Sequence, residues 1–289
     1  MNLLSGLEKF GLKQLEIEQL FEDKKKEERQ GAAQDQQKPE EHTEEEFLLD
    51  KSVSCPVCEF SFKTRVVKNG RLRRQESDTD LRPKFQYIDT IKYDVCSCPK
   101  CGYTAMNRYF SSLSSGQIKM IEEGVHRQFQ PADVITDEPM RPYSYEEAIE
   151  RYKLALYSTV VKKGKASEKA YECLKIAWLY RGWQEDMAAS GLKDEQKEED
   201  LHKEEMIYYE QAYEGFRKAI ESESFPMCGM NASAVTLLLA NMAFRLDHLD
   251  TASRFVSSIL TSHEASRPAK NRALDLKDEI LKKLHDSKK

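Results

Sequence analysis

The sequence predicts an α+β fold that is mainly α, with a small β module followed by a helical domain. Three observations carry this. Two C-P-x-C pairs stand at 55–58 and 98–101. The residues around them are strand-like and contain an Asn-Gly pair at 69–70, the strongest short hairpin signal, because a type I′ turn needs positive φ at both central residues. From about 114 onward the apolar residues recur at helical spacing, bounded by capping residues and glycines.

Three segments follow: 1–46, 47–110 and 111–289. Residues 1–50 carry net charge −7, 51–110 carry +6 and 111–289 carry −4, so the cysteine-bearing segment is a basic island in a chain of net charge −5. Residues 2–21 hold apolar positions at partly helical spacing, interrupted by Gly6 and Gly11, and read as a frayed terminus or a short docking segment. Residues 22–46 are charged and aperiodic and cannot bury enough surface to offset chain entropy, which predicts a disordered linker. The longest apolar run, "AVTLLLANMAF", is far short of the roughly 20 residues of a membrane span. The N-terminus lacks the basic start and cleavage site of a signal peptide. A cytoplasmic, non-membrane protein is expected. In that reducing compartment seven cysteines, an odd count, point to metal rather than disulfides.

In the 47–110 module, "FSFKTRVV" and "RLRRQ" flank Asn69-Gly70 and predict a hairpin, and "FQYIDTIKYDVC" predicts a further strand. Each C-P-x-C should fold as a tight knuckle with two thiolates on one side and backbone amides aimed at sulfur. Two knuckles supply four thiolates in a tetrahedron, which suits one structural zinc held by Cys55, Cys58, Cys98 and Cys101. With four protein sulfurs the site is closed, whereas a catalytic zinc keeps a position for water. Cys96 lies two residues before Cys98, lacks the following Pro and the partner at +3, and is the spare: a small strand side chain or a thiol open to oxidation. Iron in a rubredoxin-like site uses the same knuckles. The absence of tryptophan near them and Glu59, where Gly is usual after the first pair, favour zinc. The module is zinc-ribbon-like.

Lys63, Arg65, Lys68, Arg71, Arg73 and Arg74 form a cationic run with no acid among them. On the expected hairpin, Lys63, Arg65, Arg71 and Arg73 would share a face able to bind an anion, nucleic acid included, with Phe60, Phe62, Phe85 and Tyr87 nearby. The plainer reading is a solvated face whose charges pair with Asp78, Asp80 and Asp89. Those three acids have no ordered spacing for acid–base work or for a divalent ion. The six histidines are scattered, and no nucleophile elbow, phosphate loop or His-Glu zinc motif is present. Cys173 reads as core and Cys228 as a loop thiol without a base. No enzyme is expected.

In 111–289, seven helices are expected. "SGQIKMIEEGVHRQF" is the first, and Ser144 with Glu147 makes a capping box for the second, which Gly164 stops. The next two span about 167–190, ending near Gly191, and about 194–221. Asn231, Asp250 and Ser266 cap the last three. A small–aromatic–small pattern recurs at Ala148/Tyr152/Ala155-Leu156, Ala212/Phe216/Ala219-Ile220 and, more loosely, Ala252/Val256/Ile259-Leu260. It resembles the second helix of a tetratricopeptide repeat, although the copies are spaced too irregularly for a strict array. An ordinary helical bundle is the alternative.

"LLDKSVSCPVCEFSFKTRVV", "SDTDL" at 77–81 and "IKYDVCSCPKCGYTAMNRYF" resemble a bacterial family catalogued as domain of unknown function 2225, over roughly 47–260. The resemblance implies metal ligation by Cys55, Cys58, Cys98 and Cys101 and a helical, repeat-like C-terminal part, and it implies no reaction. The expectation is a zinc-binding interaction or scaffold protein whose tetratricopeptide-like domain binds a protein or peptide. The alternative is a nucleic-acid-associated regulator using the basic hairpin.

Overall fold

A computed structural model describes residues 42–130, 141–191 and 193–286. The expectations for residues 1–41 lie outside these. The architecture is α+β, mainly α: two small antiparallel sheets precede a run of helices.

Strands β1 (Leu48–Ser54) and β2 (Ser61–Val67) pair with Leu48 opposite Val67 and Ser54 opposite Ser61. Strands β3 (Val95–Ser97) and β4 (Thr104–Met106) form the second sheet. The hairpin expected across Asn69-Gly70 does not form. β2 finds its partner through the knuckle on its N-terminal side, which buries Phe62 and Leu48. Asn69–Arg71 becomes a 3-10 turn, and Gly70 stays out of the left-handed region that a type I′ turn requires. The strands expected at "RLRRQ" and "FQYIDTIKYDVC" shrink to one bridge, Arg74 to Phe85, a 3-10 turn over Thr90–Tyr93 capped by Asp89, and β3. Residues 42–46, assigned to the linker by composition, are folded. Glu44 accepts from Lys92 Nζ (2.7 Å) and from the Tyr93 hydroxyl (2.9 Å), beside the buried Phe47.

Seven α-helices are found among the described residues: α1 (Ser115–Ile121), running into a π turn at Glu122–His126, then α2 (Tyr145–Val161), α3 (Ala166–Ala189), α4 (Glu195–Ser222), α5 (Ala232–Arg245), α6 (Leu249–Thr261) and α7 (Arg267–Asp286). The capping box at Ser144 and Glu147 is present, and Asn231 and Ser266 accept from the amides of Ala234 and Ala269. Asp250 is not the cap of α6. It sits in the first turn, its carboxylate near the positive end of the helix dipole, and His248 occupies the cap position.

α3 is buried along most of its length and around its girth, from Ala170 to Gly182, because α2 packs on one side and α4 on the other. At the α3–α4 crossing a Cβ on Gly215 would meet the Ala170 methyl at 2.7 Å, so the glycine sets how closely the two helices approach. Ala148, Tyr152, Ala155, Ala212, Phe216, Ala219, Ala252, Val256 and Ile259 are all buried. The main core also takes in Ile91, Val95 and Met106 from the β region. A second cluster surrounds the cysteines with Phe62, Tyr103, Phe110, Ile121 and Val125, and a third joins Phe47, Leu48, Ile88 and Tyr93.

One buried polar group is unusual. Glu172 is fully buried on α3, accepts from Thr159 Oγ1 (2.8 Å), and leaves its second oxygen without a partner. Burial pushes its pKa up to about 8, with the nearby Glu168 carboxylate adding to the effect. The folded state therefore holds a proton that the unfolded chain releases near pH 4.5. This stabilisation is complete below that pH and is lost as pH rises toward about 8. Glu172→Gln should flatten the decline in stability between these pH values, which has a slope of at most roughly 1.4 kcal/mol per pH unit. Urea unfolding at several pH values checks this, and parallel curves for the two proteins would refute it.

Candidate metal centre

The two knuckles are structural twins. Each joins the strands of an antiparallel pair, residues 55–60 between β1 and β2 and 98–103 between β3 and β4. In the first, Cys55 N donates to Phe60 O (2.9 Å) and Glu59 N to Cys55 O (3.0 Å). In the second, Cys98 N donates to Tyr103 O (2.9 Å) and Gly102 N to Cys98 O (3.0 Å). The fifth residue of each knuckle is left-handed, Glu59 at φ 58° and Gly102 at φ 75°. Glu59 thus takes the conformation that its twin gives to glycine.

This geometry brings Cys55, Cys58, Cys98 and Cys101 together, all four sulfurs within 4.8 Å of one another. Cys55 and Cys101 stand 3.6 Å apart, as do Cys58 and Cys98. A tetrahedral ion with metal–sulfur bonds near 2.3 Å has sulfur–sulfur edges of about 3.8 Å, so the donor set fits a metal ion. The Cys98 thiol is held well below its ordinary pKa because the Cys101 and Cys55 thiols donate to it and the amides of Cys101 and Lys100 point at its sulfur. The amides of Cys58 and Val57 point at Cys55 in the same way. Three of the four cysteines are buried and Cys58 is half-buried. Phe62, Phe110 and Tyr103 wall the cluster, the Phe110 ring centroid lying 6.1 Å from that of Phe62 and 5.0 Å from that of Tyr103.

Cys96 stands outside the cluster. On β3 it pairs with Ala105 of β4, is 2% exposed, and burial pushes its thiol up to about 11. Burial likewise raises Cys173 to about 12. Cys228 is buried and donates to Ser167 O (3.3 Å).

The cationic run is not gathered on one face, because the hairpin that would align it is absent. Arg65 is buried over the Tyr143 ring at 4.6 Å, opposite Asp50 in the β1–β2 register. Lys68 Nζ donates to Glu46 O (3.1 Å) and Arg71 reaches the same carbonyl at 3.5 Å. Arg74 donates to Ser77 Oγ (3.4 Å), while Lys63 and Arg73 are exposed. Asp78 and Asp80 do not pair with this run. They pair with Arg82 and Lys84 on their own segment and with Arg181 on α3. Asp89 caps the Thr90–Tyr93 turn and faces Arg82 at 3.6 Å. Sequence reasoning missed Trp178 and Arg181 as partners of the acidic segment, and Glu205, which bridges Arg181 to Arg245. The available signal was the pairing of "SDTDL" with the aromatic-and-arginine stretch "WLYRGW".

The model of a family described as uncharacterized proteins conserved in bacteria, domain of unknown function 2225, matches residues 48–280. The chain belongs to this family. An uncharacterized protein of Borreliella burgdorferi is 22% identical over 181 residues, covering 58% of this chain and 62% of the relative, so the match spans less than two thirds of that protein's length. No solved structure matches the chain.

The twin geometry makes opposite predictions for its two left-handed residues. A non-glycine residue there costs about 1–2 kcal/mol, so Glu59→Gly should stabilise the metal-loaded protein by roughly 0.5–1 kcal/mol after the added chain entropy. Gly102→Ala should destabilise it by about 1–3 kcal/mol, since a Cβ there also runs into the Phe129 ring. Denaturant unfolding with metal in excess measures both. Equal and opposite signs to these would show that the two knuckles are not equivalent.

Proposed function

We propose that the four cysteines hold one zinc per chain in a closed structural site, and that the protein is a cytoplasmic, non-enzymatic interaction or scaffold protein. Its tetratricopeptide-like helices would bind a protein or peptide partner. The observation that carries the reading is the closed set of four sulfurs on twin knuckles. Soft thiolates suit zinc, and four of them leave no position for a reacting water. When bound, the ion supplies folding free energy. This chain's own contribution is the placement of four thiolates and of the amides that point at Cys55 and Cys98. The buried alanines and aromatics on α2, α4 and α6 support close-packed helix pairs of the repeat kind.

Elemental analysis of the purified protein should find one zinc per chain. Cys58→Ser or Cys101→Ser should lose it and melt the β region, because structural zinc contributes directly to folding. Cys96→Ser should keep it, and comparable zinc loss in that variant would overturn the ligand assignment.

The placement of the cations favours the interaction reading over nucleic acid, since Arg65 is buried and Lys68 is tied to a carbonyl. Fluorescence anisotropy with labelled single- and double-stranded DNA and RNA should show little binding at about 0.15 M salt, with affinity falling by a log–log slope of about −0.9 per phosphate contact. Submicromolar binding that disappears in Arg71→Glu with Arg73→Glu would put nucleic acid first.

A further inference from the structure

The excursion between the knuckles ends in a tip, residues 76–84, that lies on the helices and is held mainly by charge. Asp80, 2% exposed, takes a forked pair from Arg181, Nη1 to Oδ1 at 3.2 Å and Nη2 to Oδ2 at 2.8 Å, and a third bond from Trp178 Nε1 at 3.1 Å. Asp78 accepts from Arg181 Nη1 (3.1 Å) and pairs with Lys84 (2.9 Å), while Lys84 and Arg82 each reach Glu185 at 3.1 Å. Beneath them Glu205, 1% exposed, bridges Arg181 Nε (2.8 Å) and Arg245 (2.5 Å), and both guanidinium groups face the Tyr209 ring, at 5.7 and 4.9 Å.

Asp78, Asp80, Glu185 and Glu205 thus balance Arg82, Lys84, Arg181 and Arg245. Desolvation of the buried members, Asp80, Arg82 and Glu205, offsets much of their Coulombic gain, and Glu185, Lys84 and Arg245 are partly exposed and screened, so the net hold on the tip is modest. Leu81, the apolar residue of the tip that joins the main core, is left-handed at φ 69°, a strained state for a branched side chain. The rest of the β region is anchored differently, through buried Ile91, Val95 and Met106. Both ends of the excursion are closed at the sulfur cluster, Cys58 before it and Cys98 after it. The tip forms one wall of a cleft of about 790 Å³ whose other walls include Tyr209, Phe244, Arg245 and Lys283.

We propose that residues 76–84 are an internal acidic strap, kept closed by the metal-bound knuckles, over an Arg181–Tyr209–Arg245 surface that receives an acidic peptide segment of a partner. The partner chemistry follows from the strap itself, which presents two carboxylates two residues apart to that surface. The existence of a partner rests on the interaction reading above; the opening of the strap does not.

Hydrogen exchange and tryptophan emission on the full metal-loaded chain test this. Trp178 and Trp183 are the chain's two tryptophans, both on α3, and Trp178 is bonded to Asp80. In Asp78→Asn with Asp80→Asn, amides of 76–84 should exchange about tenfold faster or more, emission should change, and metal content and the protection of α5 and α6 should not. Chelation of the wild type should open the same segment with the helical far-UV signal retained. A labelled synthetic peptide of residues 75–85 should bind the opened variant and not the closed wild type. Unchanged protection of 76–84 in the double variant, chelation that leaves the tip closed or melts the helices, or a peptide that ignores the opened variant would each overturn the proposal. Exchange and emission need no partner, so failure of the strap and failure of the interaction reading are told apart.

Discussion

Four sulfurs within 4.8 Å of one another are the constraint on which the β region depends. Thiolates at that spacing repel strongly, and one cation shared among them would turn the repulsion into a cross-link. Neither sheet is stable by itself. Each has only two strands, and an isolated two-stranded pair is marginal in water. The β1–β2 and β3–β4 ladders are separate, so the sulfur cluster and the aromatic wall of Phe62, Tyr103 and Phe110 join them.

The helices are joined to this centre by packing rather than by a tether. Ile91, Val95 and Met106 lie in the main core, the Tyr152 hydroxyl donates to Ile91 O (3.2 Å), and Thr104 N donates to Ser158 Oγ (3.3 Å). On α3, Lys175 pairs with Asp94 at 3.1 Å. The central helix therefore touches the β region on one flank and the remaining helices on the other.

Two kinds of contact divide the labour along the excursion between the knuckles. Apolar burial holds its base, where each buried aliphatic side chain contributes about 1.5–3 kcal/mol. Paired charges hold its tip, where burial of the ions and their attraction nearly cancel. The base is thus anchored by apolar contacts, and the tip is placed beside the Arg181–Tyr209–Arg245 surface by specific charge pairs.

The sequence by itself determined what is local. The four cysteines declare two knuckles because a C-P-x-C turn is complete within six residues. The capping box at Ser144 and the caps at Asn231 and Ser266 place helix starts for the same reason, and the period of the apolar residues gives seven helices. What only the tertiary structure decided is which distant segments meet. Asn69-Gly70 has the chemistry of a hairpin turn, yet β2 is claimed by β1, because that pairing buries Leu48 and Phe62 together. Asp80 has six cations just upstream in sequence, yet it pairs with Arg181, 101 residues away, where Trp178 supplies a third bond and both are shielded from water. Short-range signals depend on torsions that each residue carries with it. Strand pairing and ion pairing are settled by competition among remote segments for burial, which the residues on either side of a position do not encode.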